Sequence, residues 1–231
     1  MNKLDIFNNY YGWWKNVDKT ILFLVISFFI AGLFFSLAST SLIASDRLNT
    51  NSYHFFVKHL LFILIGLVIM FIFSSFNENY LINISLALFI FSFLLLLLVP
   101  LIGVEVKGSK RWLDLPFLPR FQPIELIKPF IVVILAFVLN YQKYNLYFKY
   151  LLTLFLLVPI VLLLVSQPDV GQSMLIIFTW LILIFISGVN LFIFFGLFAF
   201  FISILSYLII FVERFTYIKI RIISFFDSPS N

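Results

Sequence analysis

The chain has 231 residues, of which 63% are hydrophobic and 11% charged, and its mean hydropathy is +1.15. Soluble domains carry roughly 25% charged residues, so the composition excludes a water-soluble globular protein and leaves no room for a large soluble domain between apolar runs. The formal net charge is +5, and with no cysteine the chain has no disulfide, thiolate metal site or thiol nucleophile.

Residues 1–19 form a polar leader, and the apolar run behind them is long enough to cross a bilayer, unlike the short core of a signal peptide. It reads as a retained first helix. A helix needs about 20 apolar residues to cross a hydrocarbon core of about 30 Å. Seven runs meet that pattern: 20–38, 56–76, 81–102, 123–139, 146–165, 170–187 and 190–212. An all-α, polytopic membrane protein is therefore expected, as a single transmembrane domain. The connections 77–80 (NENY) and 187–190 (SGVN) are too short for anything but turns between antiparallel helices, so the two termini fall on opposite faces. His54 and His59 are five residues apart and lack metal-ligand spacing.

Lys and Arg favour the cytoplasmic side of a membrane. The face of the N-terminus holds Lys3, Lys15, Lys19, Lys143 and Lys149, and the opposite face holds Arg47, Lys107, Lys110, Arg111, Arg120, Arg214, Lys219 and Arg221. The first helix dominates insertion, and three lysines precede it against one arginine in the loop that follows, so the N-terminus is placed inside. Residues 213–231 then begin an outer loop. Basic charge that persists outside against the topogenic rule points to an anionic ligand there.

Much of that charge lies in KGSKRWLDLPFLPRFQPIELIKPF, residues 107–130. QPIE, residues 122–125, reads as a helix start: Gln122 near the cap, Pro123 at the first helical position, Glu125 at the third. Lys128 falls about 8 Å further along the helix, one turn from Glu125. A lysine at a helix centre costs roughly 2.5–3.5 kcal/mol to insert, which favours an inward orientation. Pro129 behind it removes one helical hydrogen bond and is expected to bend the helix. Arg111 offers a fork of donors suited to phosphate. With Lys107, Lys110 and Lys128 it forms a candidate diphosphate cradle; the alternative is simple attraction to anionic headgroups. SQPDVGQ, residues 166–172, repeats the Gln-Pro helix start and places Asp169 at a helix N-terminus, as a cap, an ion-pair partner for Arg111 or Lys128, or a catalytic group.

Gly108, Arg111-Trp112, Gln122-Pro123-Ile124-Glu125 and Lys128 together resemble a signature of the SEDS (shape, elongation, division and sporulation) family of FtsW/RodA type. Gln167-Pro168-Asp169 with Gly171 resembles its second signature, and YIKIRIISFFDSP, residues 217–229, the entrance to its large outer loop. LASTSLIA at 37–44 and YHFFVKH at 53–59 are more similar to the septal, FtsW-like branch. The resemblance implies the N-terminal part of a ten-helix fold in the bacterial cytoplasmic membrane. It also implies a peptidoglycan glycosyltransferase that polymerises lipid II beside a class B penicillin-binding protein and other division proteins. The ligand is then an undecaprenyl-diphosphate-linked glycan, with no nucleic acid involved. On this resemblance Arg111, Lys128, Lys107 and Lys110 steady the diphosphate. Gln122, Glu125 and Asp169 support them, and Glu125 and Asp169 orient the cations or help bind a divalent cation such as Mg or Mn.

Two departures stand out: Ile124 replaces a usual serine, and Pro129 follows the lysine. The family's proposed catalytic aspartate lies in the outer loop beyond the position of Asn231, so the chain is expected to be a C-terminally truncated form, inactive alone and with no catalytic residue of its own. A lipid II flippase and a division scaffold are the competing functions.

Overall fold

In hydrocarbon every backbone N–H and C=O must be satisfied within the segment, and long apolar runs achieve this as helices. The structure, a computed structural model, describes residues 13–15, 17–41, 53–106, 109–116 and 119–226. Among the described residues six helices are long and apolar enough to cross a membrane, and a seventh, Val170–Ile186, is apolar and shorter. All seven expected spans are helical. The chain divides into two compact units, residues 1–81 and 82–231.

In the first unit, α1 spans Lys19–Phe35 and continues as a π-helical turn through Ser36–Ser41. Asp18 caps it, accepting from the Thr20 and Ile21 amides at 2.8 and 3.1 Å. No residue of α1 is buried, as fits a helix facing lipid. α2 spans His54–Ser74. The Trp13 indole N–H donates to the Ser74 hydroxyl at 2.8 Å, and its ring meets Phe71 edge-on at 4.8 Å. That places an amphipathic aromatic where tryptophan prefers to lie, at the end of a span. The leader expected at residues 1–19 lies mostly outside the described residues, as do residues 42–44 of LASTSLIA and the tail from Asp227.

α3, Glu78–Ile102, begins within the expected turn and enters the second unit, where Ser85, Phe89, Ser92, Leu96 and Val99 form its buried stripe. The alternating steps of four and three keep them on one face. A hairpin follows, β1 Val104–Val106 with β2 Ser109–Trp112. Its register pairs Val104 with Trp112, Glu105 with Lys110 and Val106 with Ser109, with an irregularity at Val104/Glu105. Leu113, fully buried, then exchanges backbone hydrogen bonds with Phe121 at 2.9 and 3.2 Å. The described part of the charged stretch ahead of Pro123 thus contains a small β structure.

α4 starts at Pro123, as the QPIE pattern predicts, and runs to Asn140. The sequence reading expects Pro129 to bend it; α4 is helical through that residue. It buries Ile127, Ile131, Ile134, Leu135 and Leu139 against α5 (Leu146–Ser166) and α6 (Val170–Ile186). Trp180 of α6 is 1% exposed at the centre of this core. The tight turn into α7 (Leu191–Phe211) has Gly188 at φ 87° and Asn190 as cap. Beyond α7 a 3₁₀ turn, Glu213–Phe215, buries Phe215 and leads into α8, Thr216–Phe226. The described part of the segment expected as the start of a loop is therefore mostly helical, tied down by Phe215 and by a hydrogen bond from Tyr217.

Candidate functional site

The α5–α6 corner organises the site. Gln167 ends α5, its amide bonded to the Leu163 and Leu164 carbonyls, and Asp169 starts α6, its carboxylate facing the Gln172 amide at 3.5 Å. Proline between them breaks helical continuity, which turns the Gln167 and Pro168 carbonyls away from any helix and leaves them open to other donors. Arg111, on β2, reaches them. Its Nε donates to the Gln167 carbonyl at 3.2 Å, Nη2 donates to the Pro168 carbonyl, and Nη1 lies 3.5 Å from Asp169. The Tyr217 hydroxyl of α8 donates to the same Pro168 carbonyl at 2.8 Å. One guanidinium thus ties the hairpin to the corner, and α8 is tied to the same point. Asp169 is 6% exposed and its charge is offset by Arg111, so of the roles open to it from sequence it fills the cap and the ion pair.

A second cluster is centred on α4. Lys128 Nζ lies 2.6 Å from Glu125 and donates to the Gln172 amide oxygen at 3.1 Å, while Gln172 Nε2 donates to Glu125 at 2.9 Å. The three side chains close a ring in which each touches the other two. Gln172 is a member that residue-type reasoning did not single out, although SQPDVGQ contains it. Its position, one turn past Asp169 on α6, is the signal that would have found it.

A cleft of about 570 Å³ opens between the hairpin, the corner and α8, lined by Ser109, Arg111, Trp112, Gln122, Pro168, Arg214, Tyr217 and Arg221, with Val106. Trp112 and Gln122 also line an apolar groove on their other side, with Phe91, Leu95, Leu115, Phe121 and Leu126 and with Glu125 at its edge. Lys110 faces a smaller pocket with Glu105, Gln167 and Arg214. Lys107 lies outside the described residues. Arg111 and Gln122 therefore meet in one cleft, while Lys128 is held in the ring with Glu125. Arg214, Tyr217 and Arg221 are cleft residues that the sequence reading did not nominate; about a hundred positions separate them from Arg111.

The fit to a divalent cation is poor. Among the described residues no three His, Cys, Asp or Glu side chains come together, and Glu125 and Asp169 each face a cationic side chain.

A family model described as cell cycle protein, FtsW/RodA/SpoVE, matches residues 18–231. The chain belongs to this family. It is 35% identical over 179 residues, 75% of its length, to a "Probable peptidoglycan glycosyltransferase FtsW" of Coxiella burnetii. It is 29% identical over 91% of its length to the protein of the same name from Wigglesworthia glossinidia brevipalpis. The crystal structure of the rod shape determining protein RodA of Thermus thermophilus superposes with a TM-score of 0.65 at 27% identity, over 80% of this chain and 59% of that one. A peptidoglycan synthase complex that coordinates polymerization and crosslinking contains a chain matching at TM-score 0.61 and 26% identity, over 86% of this chain and 59% of that one. This family member spans 48% and 55% of the lengths of the two FtsW relatives. The family and the apolar helices make it a multi-pass membrane protein, and the resemblance read from Arg111-Trp112, QPIE and QPD is borne out.

Proposed function

We propose that this chain supplies the substrate-binding part of a peptidoglycan glycosyltransferase that polymerises lipid II in septal wall synthesis during cell division. It works at the outer face of the bacterial cytoplasmic membrane, with its N-terminus inside and a class B penicillin-binding protein beside it. The observation that carries the reading is Arg111, held by two backbone carbonyls and Asp169 at the wall of an arginine-lined cleft. The name borne by the FtsW relatives and the polymerising complex that the fold matches support it.

In the reaction, a sugar hydroxyl of one lipid-linked glycan attacks the anomeric carbon of another. The new glycosidic C–O bond forms as the bond to the diphosphate breaks. The leaving diphosphate takes the electron pair, and the hydroxyl proton goes to a base. Negative charge grows on the leaving group, and a pre-oriented guanidinium stabilises it without reorganising. Arg111 meets that requirement because its carbonyl and carboxylate partners fix the fork before substrate arrives. Lys128, oriented by Glu125 and Gln172, adds a point charge next to the apolar groove. Glu125 and Asp169, each paired with a cation, orient Lys128 and Arg111.

The test is polymerisation of labelled lipid II by the complete polymerising assembly in which this chain works, compared between wild type and Arg111→Ala. A loss of about 10²-fold or more is expected, the scale of removing one transition-state donor. Wild-type polymerisation in that variant contradicts the reading, as does translocation of lipid II across vesicles without any polymer formed.

A further inference from the structure

We infer that Arg214, on the 3₁₀ turn before α8, and Arg221, on α8, bind the diphosphate of the lipid-linked substrate together with Arg111. The inference rests on the reading above and deepens it.

The charge pattern of the cleft carries it. Its lining has three arginines and no carboxylate. Arg111 is compensated by Asp169, whereas among the described residues neither Arg214 nor Arg221 makes an ion pair. Arg221 lies over the Tyr217 ring, 5.7 Å from its centroid, and Tyr217 is itself bonded to the Pro168 carbonyl. The ring, itself hydrogen-bonded, gives this exposed cation a contact beside the cleft. Two guanidiniums without an ion pair among the described residues match a diphosphate esterified at both ends, which carries one negative charge on each phosphorus. A volume of about 570 Å³ is that of a small-ligand site. The shared wall of Trp112 and Gln122 places the apolar groove next door, which favours an anion attached to a long hydrocarbon over a free one.

The experiment is calorimetric titration of inorganic pyrophosphate into the protein in phosphatidylcholine nanodiscs at low salt. The wild type should bind, and Arg214→Ala with Arg221→Ala should weaken binding about tenfold or more. Both side chains are exposed, so unchanged thermal unfolding is expected of the variant. Lys219→Ala removes one positive charge from α8, as Arg221→Ala does, but away from the cleft, and should leave binding intact. Lipid II should displace the pyrophosphate.

Four results overturn the inference. One is equal weakening by Lys219→Ala and Arg221→Ala. The second is pyrophosphate displaced by phosphatidylglycerol in the nanodisc, which assigns the site to membrane headgroups, and the third is pyrophosphate not displaced by lipid II, which assigns it to a free ion. The fourth is unaltered binding in the Arg214/Arg221 variant. If that fourth result comes with lost binding in Arg111→Ala, the inference falls and the lipid-diphosphate reading stands; unaltered polymerisation in Arg111→Ala brings down the reading itself.

Discussion

Arg111 makes three contacts that a lysine cannot reproduce, because only a planar fork reaches two carbonyls and a carboxylate at once. Arg111→Lys is therefore expected to behave like Arg111→Ala in a polymerisation assay. Asp169→Asn has a different signature. It leaves a half-buried guanidinium without its counter-charge, which costs about 1 kcal/mol and should appear as a lowered unfolding midpoint in detergent. Lys128→Met is the converse: half-exposed Glu125 regains water, so stability should change by less than about 1 kcal/mol while polymerisation falls. Together these variants separate a residue that holds the fold from one that serves the ligand. Part of this was legible from residue types. Glu125 and Lys128 on one helical turn had to be near each other, and Asp169 offered itself as a partner for Arg111 or Lys128. The choice between those partners was not legible, because it depends on how the hairpin lies across the α5–α6 corner.

At the scale of elements, the helices were readable because an apolar run of span length has few ways to satisfy its backbone. Pro123 and Pro168 marked helix boundaries by the donor they lack. The hairpin left no comparable trace, since strands of three and four residues show no usable period. The α8 segment misleads in another way. KIRI alternates like a strand, and its helix is fixed by distant anchors, buried Phe215 and the Tyr217 bond to Pro168. Tyr217→Phe should therefore raise amide exchange across 216–226 with little change elsewhere; unchanged exchange would show that the hydroxyl does not hold the helix. Gly188 has φ 87° with open space around it, so Gly188→Ala carries only a backbone penalty of about 1 kcal/mol. Asn, which tolerates that conformation, should restore part of the unfolding midpoint.

At the scale of the molecule, the orientation proposed above, with the N-terminus inside, makes a prediction of its own. The absence of cysteine makes it directly testable. A single cysteine at Lys110 should react with a membrane-impermeant thiol reagent in intact cells, and one at Lys143 only after permeabilisation; the reverse pattern would place the arginine cleft in the cytoplasm. The whole-molecule reading was accessible early because composition sets solvent and short turns set alternation. The cleft was not, since its walls come from the hairpin, the corner and α8, which only the packed helices bring together. The most direct measurement is equilibrium binding of lipid II to the protein in nanodiscs, compared between wild type and Arg111→Ala. Saturable binding that weakens about tenfold or more in the variant is expected; binding of equal strength in both would contradict the assignment of Arg111 to the lipid diphosphate.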